Sequence, residues 1–277
     1  MTVLNLREPV SALTHGAWFL MIVPAAVFAW RRGAGNSARQ ISLFVYTFCL
    51  AFCAFASTLY HSVPGSREQI RYYLLLDHIG IFLLIAGTCT PIAVALLHGA
   101  WRQWCLIVTW GVTAFGIILN LWLTALPNWL STGIYLAMGW GSLLCYLELA
   151  RYNSQWTLSP IPIGGIVYSI GAVFHLLGWP NVWPGVVGSH ELFHVFVMAA
   201  SAIHFGFIVT VVANAECLPR ASGTGEKAAI PRPVLSASGA SIAIENPRLF
   251  GMRVPHVSIW FPMWSKRRTG GRSTGGG

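Results

Sequence analysis

Apolar residues run along this chain in seven blocks, at residues 12–30, 41–61, 74–97, 103–124, 130–149, 161–178 and 190–214. Each is near the length of roughly 20 residues that a helix needs to cross a bilayer, so the pattern predicts seven membrane-spanning helices. Short breaks separate them, marked by Gly33-Ala34-Gly35-Asn36, Pro64-Gly65, Leu126-Pro127-Asn128, Ser159-Pro160 and the stretch from Trp179 to Gly188 with Pro180 and Pro184. The first block is longer than the apolar region of a signal peptide, lacks an A-x-A cleavage site and runs into Arg31-Arg32, so it is read as the first helix. An odd number of crossings puts the two ends of the bundle on opposite sides. Residues 1–214 are thus expected to form one transmembrane domain. From residue 215 to 277 Gly, Ser, Pro and basic residues dominate, which predicts a disordered basic tail. Within it, the run Ser258 to Trp264 is too short to span and suits a membrane interface.

Composition agrees with the pattern. Of 277 residues, 55% are hydrophobic and only 9% charged, and the mean hydropathy is +0.62, which excludes an ordinary soluble domain. The fold class expected is therefore all-α, a polytopic seven-helix bundle in a cell or inner membrane. Lys and Arg number 17 against 8 acidic residues. Most of this excess lies in the tail and near helix ends, so it reads as topology signal and contact with anionic membrane lipid, with no nucleic acid partner. The six cysteines lack zinc-finger spacing and fix no redox compartment.

Against that background the polar residues stand out. The string Ser189-His190-Glu191-Leu192-Phe193-His194 opens the last block, and its two imidazoles, four positions apart, share one helix face at roughly 6 Å. Ionisable side chains at membrane depth are costly and mark function by default. Let the face where the N-terminus emerges be the near face. His61 then closes the second helix, Asp77 and His78 open the third, and His15 and His175 lie at the same end. Six of the nine histidines and the single aspartate therefore gather toward one face. Ser57 and His61 fall on one stripe of the second helix. His61, His190 and His194 offer three nitrogens with an open fourth position, the arrangement of a catalytic zinc. Asp77 could hold a water there or take its proton, and Ser57 could bond to either; spacing does not assign these roles. Ser57 bonding back to its own helix, and Asp77 paired with Arg71, are the plainer alternatives. His15, His78 and His204 also have a plainer reading, as hydrogen-bonded links between helices.

His190 to His194 also matches H-E-x-x-H, the zincin protease signature in which the Glu is a general base. The further ligand expected is missing. Glu216 lies 22 positions beyond His194, about 33 Å along a helix. Val197 and Ala200 stand where the metzincin extension needs Gly and His, and no downstream aspartate serves an intramembrane protease.

Three separated motifs, Ser57-x-x-x-His61, Leu76-Asp77-His78 through Thr90-Pro91, and Gly188-x-His190-Glu191-x-Phe193-His194-x-Phe196, with Glu8-x-x-Ser11-x-x-Thr14-His15-Gly16 before them, resemble the hemolysin III family within the progestin and adipoQ receptors. The resemblance covers residues 8 to about 214. It implies zinc held by His61, His190 and His194, Asp77 and Ser57 around the bound water, and ceramidase-like hydrolysis of a lipid amide or ester. It also implies that Glu191 is not essential to catalysis. His175 stands where bacterial members carry a tyrosine, and Asn120 where a lysine is frequent, so the substrate cavity is expected to differ. A receptor, stress or cytolytic protein with structural zinc is the competing class, and a fourth ligand from His175 or His78 would favour it. Basic residues in the short loops number three on the near face (Arg7, Arg67, Arg71) and five on the far face (Arg31, Arg32, Arg39, Arg102, Arg151). The positive-inside rule then places the tail in the cytoplasm and the histidines outside, whereas the adiponectin-receptor-like relatives imply the reverse.

Overall fold

A computed structural model describes residues 6–123 and 127–215. The basic tail expected beyond Ala215, with its Ser258 to Trp264 run, lies outside the described residues. The helices are α1 (Pro9–Arg32), α2 (Ser37–Ser62), α3 (Arg67–Leu96), α4 (Gly99–Trp122), α5 (Asn128–Gly141), α6 (Leu143–Ala150), α7 (Gln155–Leu158), α8 (Pro160–Leu177) and α9 (Ser189–Phe207), the last continued by a π-helical turn, Ile208–Val212. Together they make seven spans long and apolar enough to cross a membrane, the fifth running from Trp129 to Ala150 and the sixth from Gln155 to Leu177. The protein is an integral, multi-pass, all-α membrane protein.

The helix ends follow local chemistry. Pro9 starts α1 at a position where its missing N–H costs nothing. The Asn36 side chain caps α2 by accepting from the Arg39 amide at 2.9 Å. Ser66 and Gln69 form a capping box at the head of α3. That box starts α3 seven residues before the apolar block does, so Asp77 sits three turns inside the helix rather than at its opening. Gly178, at φ 63, closes α8 in a left-handed conformation that suits glycine.

The fifth block was expected to be one helix and is two. Gly139, Gly141 and Ser142 interrupt it, and the Ser142 hydroxyl donates to the Gly139 carbonyl at 2.6 Å, a local competitor for the helical ladder.

Side-chain distribution is that of a membrane bundle. Leu20, Met21, Ile107, Phe115 and Leu144 face outward, while Ser11, His15, Ser57, His61, Asp77 and His194 are buried. Two seams fix the geometry at the near face. Along α2 and α3, a Cβ on Gly80 would stand 2.9 Å from the Cys53 Cα, and one on Gly87 would stand 2.6 Å from the Cys49 Cβ. Along α8 and α9, a Cβ on Gly171 would meet the Phe196 Cβ at 2.6 Å. Backbones this close are the membrane alternative to a hydrophobic core. Gly80 is one turn from Asp77 and Cys53 one turn from Ser57, so the first seam sets the height of one side chain against the other. The second seam brings His175, one turn past Gly171, up to the head of α9.

Candidate metal centre

His61 ends α2 with its side chain fully buried. Its Nε2 faces the His190 Nε2 at 3.4 Å, and the His190 Nε2 faces the His194 Nε2 at 2.9 Å. One ring nitrogen from each of the three lies within 4.8 Å of the others. Two imidazoles bound to one zinc at ordinary bond lengths in a tetrahedral site have nitrogens about 3.3 Å apart. The three rings therefore need only small adjustments to share an ion. Three imidazole nitrogen donors, two of them on buried side chains and the His190 one on a half-buried side chain, with no thiolate, make a donor set that suits zinc and related divalent metals. This cluster could hold a metal ion.

Two of the nitrogens turned away from the common point, those of His61 and His190, are engaged too. The Glu8 carboxylate accepts a short hydrogen bond from His61 Nδ1, which fixes the tautomer that leaves Nε2 free to ligate. His190 Nδ1 meets His175 Nδ1 at 3.4 Å, and the His175 ring stacks on Phe193 at 5.2 Å. His175 thus touches His190 on the side opposite the shared point and does not close the cluster. His15 stands edge-on to His194, with ring centroids 4.3 Å apart, and neither of its buried nitrogens has a hydrogen-bond partner among the described residues.

Asp77 and Ser57 line the same cavity as His190 and His194. The Ser57 hydroxyl stands beside the Asp77 carboxyl but out of hydrogen-bond geometry, leaving Ser57 Oγ buried and unsatisfied. The adjacent Thr58 instead bonds back to the Ala54 carbonyl at 2.7 Å. Ser57 therefore does not take the plainer alternative raised for it. Nor does Asp77, which forms no ion pair with Arg71 among the described residues. Glu191 is committed elsewhere: it accepts from the Gly188 amide at 2.9 Å and from the Ser11 hydroxyl at 3.3 Å, capping its own helix. His78 stays apart from the cluster, with the Tyr135 ring 6.5 Å away. His204 takes the structural reading, its Nε2 donating to the Ile161 carbonyl at 3.1 Å.

Below the histidines a cavity of about 750 Å³ runs between α3, α5, α6, α8 and α9, lined by Leu84, Ile85, Ile92, Tyr146, Ile161 and Val197 among others. From Asp77 to Ile92 it follows α3 for about 22 Å, longer than the roughly 15 Å of hydrocarbon in one leaflet.

Sequence reasoning placed His61, His190, His194, Asp77 and Ser57 in one region, and the structure brings Ser57, Asp77, His190 and His194 to the cavity wall with His61 buried behind them against His190. It had no role for Glu8, Ser11 or His15 at the cluster. The signal was present as the spacing Glu8-x-x-Ser11-x-x-x-His15, one helix face, but the partners lie 53 positions away for Glu8 and 180 for Ser11.

Comparison with known proteins decides the kinship. The family described as haemolysin-III related matches residues 4–205. The chain belongs to the haemolysin III family. It is 30% identical over 201 residues to the hemolysin-3 homolog of Bacillus subtilis (strain 168), covering 72% of this chain and 91% of that one. With hemolysin-3 of Bacillus cereus it shares 30% identity over 224 residues, 80% of this chain and 97% of the other. A more distant likeness, 28% over 182 residues, joins it to the adiponectin receptor protein of Drosophila melanogaster, covering 57% of this chain and 38% of that one. The haemolysin III match spans all three histidines, Asp77 and Ser57, and ends before the basic tail.

Proposed function

We propose that this haemolysin III protein is a zinc-dependent hydrolase of a lipid amide or ester, ceramidase-like in its chemistry. The observation that carries the reading is the placement of a three-histidine cluster at the head of a deep apolar cavity whose wall holds a buried carboxyl and an unsatisfied hydroxyl. Zinc, when bound, supplies a Lewis acid for the scissile carbonyl and brings the pKa of water down to about 7.

The chain's own residues supply the rest. His61, His190 and His194 hold the ion through the nitrogens that face one another. The apolar wall takes the acyl chain, so that its first carbons lie at the histidines and water is excluded from the length below. Asp77 orients the attacking water, accepts its proton on a carboxyl oxygen and returns it to the leaving amine or alcohol. Ser57 donates to the carboxyl or to the water, satisfying an oxygen that the protein leaves without a partner.

A second reading, a lipid-responsive receptor with structural zinc, has the distant likeness to a protein named as an adiponectin receptor in its favour. The position of His175 on the far side of His190 favours the open, hydrolytic site.

One experiment separates them. The full chain is purified in detergent, its zinc measured by elemental analysis, and released fatty acid followed by mass spectrometry on ceramide and on long-chain acyl esters. The hydrolase reading expects about one zinc per chain and turnover that needs it. Zinc-loaded protein that releases no fatty acid from any of these lipids would leave the receptor reading standing, and protein that binds no zinc would end both.

A further inference from the structure

The three ligand histidines come from α2 and α9, yet these helices make few direct approaches to each other. It is α1 that packs against both. Its first turns carry Glu8, Ser11 and His15, at i, i+3 and i+7, a single stripe facing inward. Each member reaches a different part of the centre. Glu8 takes the His61 Nδ1 hydrogen bond. Ser11 donates to Glu191 at 3.3 Å, next to His190. His15 lies edge-on against His194 at 4.3 Å between centroids. The stripe is anchored by backbone: the Glu8 amide donates to the His61 carbonyl at 3.0 Å, and the Arg7 amide to that of Ser62 at 3.4 Å. The Arg7 guanidinium also covers the Tyr60 ring at 4.2 Å.

We propose that Glu8, Ser11 and His15 form a positioning element on α1 that holds the α2 ligand and the α9 ligands in register for one metal ion. The inference rests on the metal reading above and goes beyond it, since it assigns a role to residues outside the three-histidine ligand set. Glu8 fixes the tautomer and plane of His61 and raises the basicity of its Nε2. Ser11 ties the head of α9 to α1 through Glu191, so that His190 cannot drift along its helix axis. His15 limits rotation of the His194 ring. Outer partners of this kind change metal affinity by about 10–100-fold when removed.

The test uses the full chain in detergent and Co2+ as a stand-in for zinc, read by its visible absorption, which reports affinity and ligand geometry without any lipid turnover. Glu8→Ala should bind Co2+ about 10–100-fold more weakly, with displaced bands. Glu8→Gln, whose amide oxygen still accepts from His61 Nδ1, should recover most of the loss. That rescue is not expected if Glu8 serves only to start the helix. Helix content should stay parental, because the backbone tethers do not depend on the side chain. His15→Ala should also weaken binding, and His15→Phe, which keeps an edge against His194, should bind nearly as the parent does. Parental affinity and spectrum in Glu8→Ala overturn the proposal. If that variant does not fold, parental binding by His15→Ala overturns it equally. A parent chain that takes up no Co2+ and no zinc refutes the metal reading itself, a different failure from a parent that binds and variants that bind as well.

Discussion

Asp77 and the three clustered histidines lie in one region but should fail differently when lost. His61→Ala, His190→Ala or His194→Ala leaves two nitrogens for the ion, so zinc and hydrolysis should disappear together, measured by elemental analysis and released fatty acid. Asp77→Ala removes no ligand. Zinc should stay near the parental level while turnover falls by about 10²–10⁴, the contribution of a positioned acid or base; an Asp77→Ala protein with parental turnover would remove Asp77 from the mechanism. Glu191→Gln tests the protease-like motif directly. Its carboxylate is occupied by the Gly188 amide and Ser11, so the variant should keep zinc and hydrolysis and lose at most a helix cap, about 1 kcal/mol. A zinc-loaded but inactive Glu191→Gln protein would restore the general-base reading. These residues were legible because the pairs His190/His194 and Ser57/His61 each obey helical spacing, and because charge and imidazole are scarce in apolar sequence. Glu8 and His15 were not assigned to the site, because what defines their roles is contact with helices remote in sequence.

At the level of elements, apolar length was a sufficient guide to the number of membrane spans and a poor one to where helices start and break. The α3 start was hidden by polar residues Arg67, Glu68, Gln69 and Arg71, which lengthen the helix beyond the apolar block. The break at Ser142 was hidden because Gly and Ser are common inside membrane helices, and what they do depends on neighbours. The α2–α3 seam is a further case, since nothing local says that Gly80 lies against a backbone. It yields a prediction. Gly80→Ala would place a methyl 2.9 Å from the Cys53 Cα, so the helices must shift, at a cost of about 1–3 kcal/mol. Because the seam sets Asp77 against Ser57 and the three histidines lie on α2 and α9 rather than on α3, Gly80→Ala should unfold at lower temperature and hydrolyse more slowly while keeping its zinc. Gly111→Ala, where an added methyl meets nothing within 4 Å, is the control. Equal melting temperatures for the two variants, by circular dichroism in the same detergent, would show that the close approach is not limiting.

Across the whole molecule, the site lies at the near face, where α1 begins, α2 ends and α9 begins, and the chain emerges after Val212 at the opposite face. On the hydrolase reading, orientation therefore decides which compartment supplies water and receives the product's polar group. The near face carries Arg7, Arg67 and Arg71, and the far face Arg31, Arg32, Arg39, Arg102 and Arg151. Acidic neighbours contribute little to the rule, so the ion pairs Arg7–Glu8 at 3.2 Å and Arg151–Glu148 at 2.8 Å leave the comparison as it stands. Arg39 is spent on structure, its guanidinium donating to the Ala213 carbonyl at 2.8 Å, yet it still adds charge on the far side. The expected topology puts the C-terminus in the cytoplasm and the histidines on the outer side, which on the hydrolase reading is where the water comes from. A phosphatase reporter that is active only outside the cytoplasm should be silent when fused after Gly277 and active when fused ahead of α1. The opposite pair of signals would reverse the topology and place the site in the cytoplasmic half of the membrane.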